Sequence, residues 1–244
     1  MKQVLAIFKR EFAAYFATPL AYVFIVIFLL AMGAFTFYVG RFYENGIADL
    51  SVFFGYHPWL YLFLVPAIGM RLWADERRTG TVELLLTLPV PVWAMVLGKF
   101  LAAWAFTGVA LVLTFPIWIT VNVLGNPDNG VILASYIGSF LMAGGYLAIS
   151  SAISASTDNQ VIAFVISVAV CFLFTIAGAA LVLDFFQFWA PIVLVNTISS
   201  FSFLTRFQAI SSGVIDLRDL IYFASLITLF LAVNVVLIDL KKTS

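Results

Sequence analysis

The chain has 244 residues, of which 64% are hydrophobic and 10% charged, with a mean hydropathy of +1.12 and a formal net charge of zero. That is too little polar surface to cover a water-soluble globule, since soluble domains carry about 25% charged residues. The balanced charge removes any argument for nucleic acid as a partner, and the single cysteine, Cys171, excludes an intrachain disulfide.

The pattern predicts an all-α integral membrane protein with six transmembrane helices, forming one membrane domain over residues 1–244. Residues 1–17 come first. Met1, Val4, Leu5, Phe8, Phe12, Tyr15 and Phe16 share one helical arc of about 120°, with Lys2, Gln3 and Arg10 outside it. Such a helix is an interfacial elbow, its aromatic side sunk toward the acyl chains and its basic side among headgroups. The apolar run after Pro19 is longer than the core of a signal peptide and is read as an uncleaved first span, 20–39.

Five more spans follow, at 59–73 (starting near Phe53), 100–123, 131–153, 161–183 and 220–238. A span needs ~20 apolar residues to cross a ~30 Å hydrocarbon core. His57 is read as an interfacial residue at the outer end of the second span. Turn chemistry marks the connections 41–51, 125–130 and 154–160. The stretch 185–204 is also apolar, but Pro191 and Asn196 interrupt it, and a seventh crossing would separate Lys241 and Lys242 from the other basic residues. Residues 185–215 are therefore predicted to form an outer-face re-entrant hairpin, buried where its backbone can be satisfied.

Six crossings put both termini on one side. That side holds Lys2, Lys9, Arg10, Arg71, Arg77, Arg78, Lys99, Lys241 and Lys242, nine of the twelve basic residues, against Arg41, Arg206 and Arg218 opposite. The positive-inside rule makes the first side cytoplasmic.

Within the spans, small residues recur at four-residue spacing: Ala163, Ser167, Cys171, Thr175 and Ala179 in the fifth, and Gly144, Ala148 and Ala152 in the fourth. Small stripes let helix backbones approach in lipid, so these read as packing faces. The alternative is a substrate path along Ser150, Ser151 and Ser154, joined by Ser167 and Thr175. At the outer face Arg206, Asp216, Arg218 and Asp219 are expected either to pair the hairpin with the last span or simply to be solvated.

The densest charge lies between the second and third spans, where Asp75, Glu76, Arg77, Arg78 and Glu83 fall within nine positions. Thr79 or Thr81 can cap a helix there, Glu83 suits the positive end of its dipole, and Pro89 stops it. Leu84, Leu85 and Leu88 give it an apolar side, the design of a helix that fits a partner's groove. The plain alternative is a charged loop that obeys the positive-inside rule.

The run from Glu76 to Pro89, with Gly80-Thr81-Val82-Glu83-Leu84-Leu85-Leu86, resembles the signature of type 2 ABC transporter permeases. The similarity extends to the elbow, the six spans, the Thr157-Asp158-Asn159-Gln160 loop and the outer hairpin. Pro58-Trp59-Leu60, Val65-Pro66-Ala67-Ile68 and the 213–220 stretch are similar to the gliding-motility-associated branch.

The resemblance implies that residues 75–89 are a coupling helix docking on a separate ATPase. Glu76, Arg77 and Arg78 would anchor its lead-in, and Gly80, Thr81, Glu83, Leu84 and Leu85, ending at Pro89, would form the transmitting surface. It further implies two ATP-binding subunits, a second permease copy or paralogue, ATP and Mg on the partner ATPase, none bound by this chain, and residence in a bacterial inner (plasma) membrane. Family members export polysaccharides, lipids, peptides or drugs. The competing reading is a non-transporting anchor or force transmitter acting on an outer-face accessory protein.

No G-x-x-x-x-G-K-[ST] loop is present to cradle ATP phosphates, and no H-E-x-x-H or histidine-rich set to hold a metal. The chain is thus expected to be no enzyme by itself. A secondary transporter would place an ionisable group in mid-bilayer, and the six spans carry none away from their ends.

Overall fold

A computed structural model describes residues 1–81, 90–187 and 190–240. Helix α1 (Lys2–Phe16) has Thr18 and Pro19 behind it. Proline presets the first helical turn of α2 (Pro19–Gly33), whose last turns widen into a π-helix, Ala34–Val39. Short α3 (Ser51–Gly55), α4 (His57–Gly69) and α5 (Arg71–Arg78) follow as three pieces.

Beyond them α6 (Val92–Val112) and α7 (Phe115–Leu124) meet at a break at Leu113 and Thr114. The long α8 (Asn129–Ser156) starts on an Asp128 cap, and α9 (Gln160–Ile176) on an Asn159 cap, each side chain accepting from two backbone N–H groups. Then come α10 (Ala180–Gln187), α11 (Ile192–Ser200), α12 (Phe203–Ser211) and α13 (Leu217–Leu240).

Among the described residues, four helical stretches are long and apolar enough to cross a membrane: Pro19–Val39, Val92–Leu124, Asn129–Ser156 and Leu217–Leu240. The pair α9 and α10 would make a fifth if counted as one, but it bends by 72°. The straight span expected at 161–183 is therefore broken near Gly178. A Cβ on Gly178 would collide with Thr205 Oγ1 and Ser202, so α12 packs directly against the break. Ser202 holds it there by donating to the Thr175 carbonyl at 3.1 Å.

The second expected span is similarly interrupted: α4 alone has 13 residues, short of a crossing. His57, expected at the interface, is fully buried, ringed by Phe28, Phe53, Phe54 and Tyr61. The rings come from α2 (Phe28), α3 (Phe53 and Phe54) and α4 itself (Tyr61).

The centre of the bundle is α8, which packs on α4, α6, α9, α12 and α13. Residues on every side of it are buried, including Tyr146, Leu147, Ala148 and Ile149 in succession. Such all-round burial needs small residues where helices cross. A Cβ on Gly69 of α4 would strike Ser150, and one on Gly144 would lie 2.9 Å from Trp104. On α9 the buried residues are Ala163, Ser167, Cys171 and Thr175, one four-residue stripe, while Val161, Val165, Ile166 and Leu173 face outward.

Candidate functional site

The charged segment that follows α4 is helical through Arg78. It forms the end of α5, where Leu72, Trp73 and Ala74 are buried against the bundle and Arg77 and Arg78 occupy the last turn, favourable to the helix dipole. Thr79 donates to the Asp75 carbonyl at 3.0 Å, and Thr81 donates to the Glu76 carbonyl at 3.2 Å, so both hydroxyls help to close this helix. Gly80 sits at φ +71°, the left-handed conformation that favours glycine at a helix end. Glu83, Leu84, Leu85 and Pro89, with the rest of the expected coupling helix at 82–89, lie outside the described residues.

Helix α5 is fastened on two flanks. On the first, Lys99 of α6 is buried and lies with its ammonium 2.6 Å from Glu76 Oε1 and 3.3 Å from Glu11 Oε1 on α1. The same ammonium stands 5.4 Å from the centre of the Trp73 ring. On the second, Gln160 at the start of α9 donates to Asp75 Oδ1 at 2.6 Å, and Arg77 donates to the Ala155 carbonyl at 2.7 Å. Arg78 pairs with Asp75 at 3.1 Å. One helix turn is thus tied to α6, through Lys99 to α1, and to the end of α8 and the start of α9.

Two carboxylates share one buried ammonium, and they do not share it equally. Burial pushes the Glu76 carboxyl above its ordinary value, an effect that Lys99 only partly offsets; one of its oxygens, Oε2, is buried with no hydrogen-bond partner. Glu11 also feels burial, but Lys99 and Arg10 together outweigh it and hold the carboxyl below its ordinary value. For Arg77, burial lowers the guanidinium value.

The junction above this turn depends on Ser154. Its hydroxyl donates to the Met70 carbonyl at 2.7 Å and accepts from the N–H groups of Trp73 and Ala74 at 3.1 and 3.0 Å. The other expected path residues also face helix neighbours. Ser150 donates to the Tyr146 carbonyl, Ser151 accepts from Asn234 at 2.6 Å, Thr175 bonds the Tyr146 hydroxyl at 2.7 Å, and Ser167 is buried.

At the other end Arg206 pairs with Asp219 at 2.9 Å and lies over Tyr222. Asp216 accepts from the Arg218 N–H at 2.9 Å, a local turn at the head of α13.

Sequence reasoning named Glu76, Arg77 and Arg78 but missed Glu11, Lys99 and Asp75 as their partners, and read Gln160 only as loop. Lys99 carried one usable signal: a lone cation with apolar sequence on both sides, one residue ahead of the expected span at 100–123. Asn234 was missed altogether, being a single uncharged residue in an apolar helix.

Comparison with curated proteins gives no match. The model of a family described as ABC-2 family transporter protein matches residues 5–240, nearly the whole chain. The chain therefore belongs to the ABC-2 transporter family, as a multi-pass transmembrane subunit of a kind that works with a separate ATP-binding partner.

Proposed function

We propose that this chain is the permease half of an ATP-driven exporter, with six crossings, both termini in the cytosol and residence in a bacterial inner membrane. In this reading α1 is the interfacial elbow, α4 with the start of α5, as far as Trp73, completes the second crossing, and α10 to α12 form the outer hairpin. Two copies, or one copy with a paralogue, join two ATPase subunits that carry ATP and Mg. The local likeness of Pro58–Leu60, Val65–Ile68 and residues 213–220 supports a place in the gliding-motility-associated branch.

The observation that carries the reading is the fastening of α5. The turn that feeds residues 82–89 is bound at once to the elbow and α6 through Glu76, Lys99 and Glu11, and to α8 and α9 through Arg77 and Asp75. A push delivered by the ATPase to 82–89 enters a turn that grips four helices, so it shifts them together instead of bending a loop. Gly80 is the flexible link between that turn and the docking segment.

Gly80→Pro forces φ to about −65°, which is incompatible with the observed +71°. We expect this variant, and Glu83→Lys, to insert normally yet lose ATPase co-purification or ATP-driven release of cargo from liposomes. Normal ATPase stoichiometry with unchanged coupled activity in both variants would refute the assignment.

A further inference from the structure

A cavity of about 470 Å³ opens between the elbow helix, α2, α4, α5 and α6. Its lining is bipolar. Phe24, Ile27 and Leu64 form the apolar end, whereas Glu11, Arg71 and Asp75 lie at the other. Along α2 the lining runs from Thr18 to Ile27, about 13 Å of helical rise, close to the ~15 Å hydrocarbon depth of one leaflet. Its polar end lies beside α1, which in the reading proposed above rests at the level of the headgroups.

The charges at that end are of both signs. Arg71 is exposed and makes no ion pair among the described residues, while Asp75 and Glu11 keep partly exposed carboxylates beside it. Glu76 and Lys99 line the same end, but the Lys99 ammonium is committed to Glu76 and Glu11 and almost fully buried, which leaves Arg71 as the exposed cation there. A purely anionic headgroup would satisfy Arg71 but face the carboxylates. A phosphate linked to a primary ammonium satisfies both, the phosphate on Arg71 and the N–H donors on the carboxylates.

We propose that this cavity holds one molecule of an amine-headed glycerophospholipid of the phosphatidylethanolamine type, its acyl chain between Phe24, Ile27 and Leu64. The lipid fills the wedge between elbow and bundle. The site is independent of the ATPase partner and stands or falls without it.

The test uses full-length purified protein in detergent with equal amounts of phosphatidylethanolamine, phosphatidylcholine and phosphatidylglycerol of identical acyl chains, read by native mass spectrometry. One lipid per chain is expected, the ethanolamine form favoured by at least about fivefold, because choline has no N–H to donate and glycerol no cation. Ile27→Trp fills the apolar end and removes the bound lipid, and Arg71→Ala lowers occupancy about tenfold, the loss of one charge-assisted bond. Leu229→Trp, on the exposed face of α13, retains lipid as the native chain does. Equal retention by Ile27→Trp and the native protein, or equal binding of the glycerol and ethanolamine lipids, overturns the proposal.

Discussion

The two ends of the bundle each hold a buried ionic contact, but they are built differently. At the α12–α13 end, one arginine, 25% exposed in its side chain, meets one buried carboxylate, and Arg206 also reaches the Ser200 carbonyl at 3.2 Å. At the α5 end, one buried ammonium sits between two carboxylates from different helices, and one carboxylate oxygen goes without a partner. The first contact is a closed pair; the second is a chain, in which Arg10 also pairs with Glu11 while Glu76 has Lys99 alone. A closed pair holds one geometry, whereas an over-subscribed cation has two partners to choose between as the helices move.

The largest effect should come from removing the shared cation. Lys99→Met leaves two carboxylates facing each other in a buried site and is expected to cost about 3–5 kcal/mol, read as a large fall in the thermal midpoint of the purified protein. A loss no greater than that of an exposed lysine, such as Lys2→Met, would show that the triad is solvated in practice. Next is Arg206→Ala, which strands the buried Asp219 and should cost about 2 kcal/mol. Adding Asp219→Asn to it should recover part of that loss, since the stranded charge is then gone; no recovery would mean that Arg206 acts through its packing on Tyr222.

The smallest effects are pH-dependent and distinguish the two carboxylates. Glu11 has a folded value below its ordinary 4.5, so its contribution is present above that value and lost as pH falls through the lowered one. Glu76 is raised, so the folded state resists its ionisation, and stability is lost as pH rises through the raised value. Glu11→Gln should therefore destabilise at pH 7 and do little in strong acid. Glu76→Gln should compare more favourably with the native chain at pH 7 than at pH 4. Parallel melting curves for the two variants across this range would contradict the asymmetry.

Much of the fold was legible because lipid imposes simple rules. The apolar runs and the small stripe on α9 follow from periodicity, and the stripe proved to be the helix's buried face; the aromatic arc of α1, expected to face acyl chains, instead turns Tyr15 and Phe16 onto Phe106 of α6. Helix breaks were less legible. Nothing in the run 161–183 marks a 72° bend except Gly178, and the reason for it lies in Ser202 and Thr205, distant in sequence. His57 looked interfacial because histidine is polar, but a ring of aromatics supplied by α2 and α3 encloses it. The site divides the same way. The Glu76–Arg78 cluster stands out as a charge run, whereas its anchors Glu11 and Lys99 come from helices 65 and 23 residues away in the chain and become visible only when the helices pack.

Ser154 has a consequence for motion. Between α4 and α5 the helical ladder lapses at Met70, and three backbone groups that would otherwise go unpaired are served by a hydroxyl from α8. A vacant joint of this kind would swivel; a plugged one behaves as a weld. Torque applied below it must turn α4, α5 and α8 as a single lever, and Ser154→Ala would loosen that lever into a hinge.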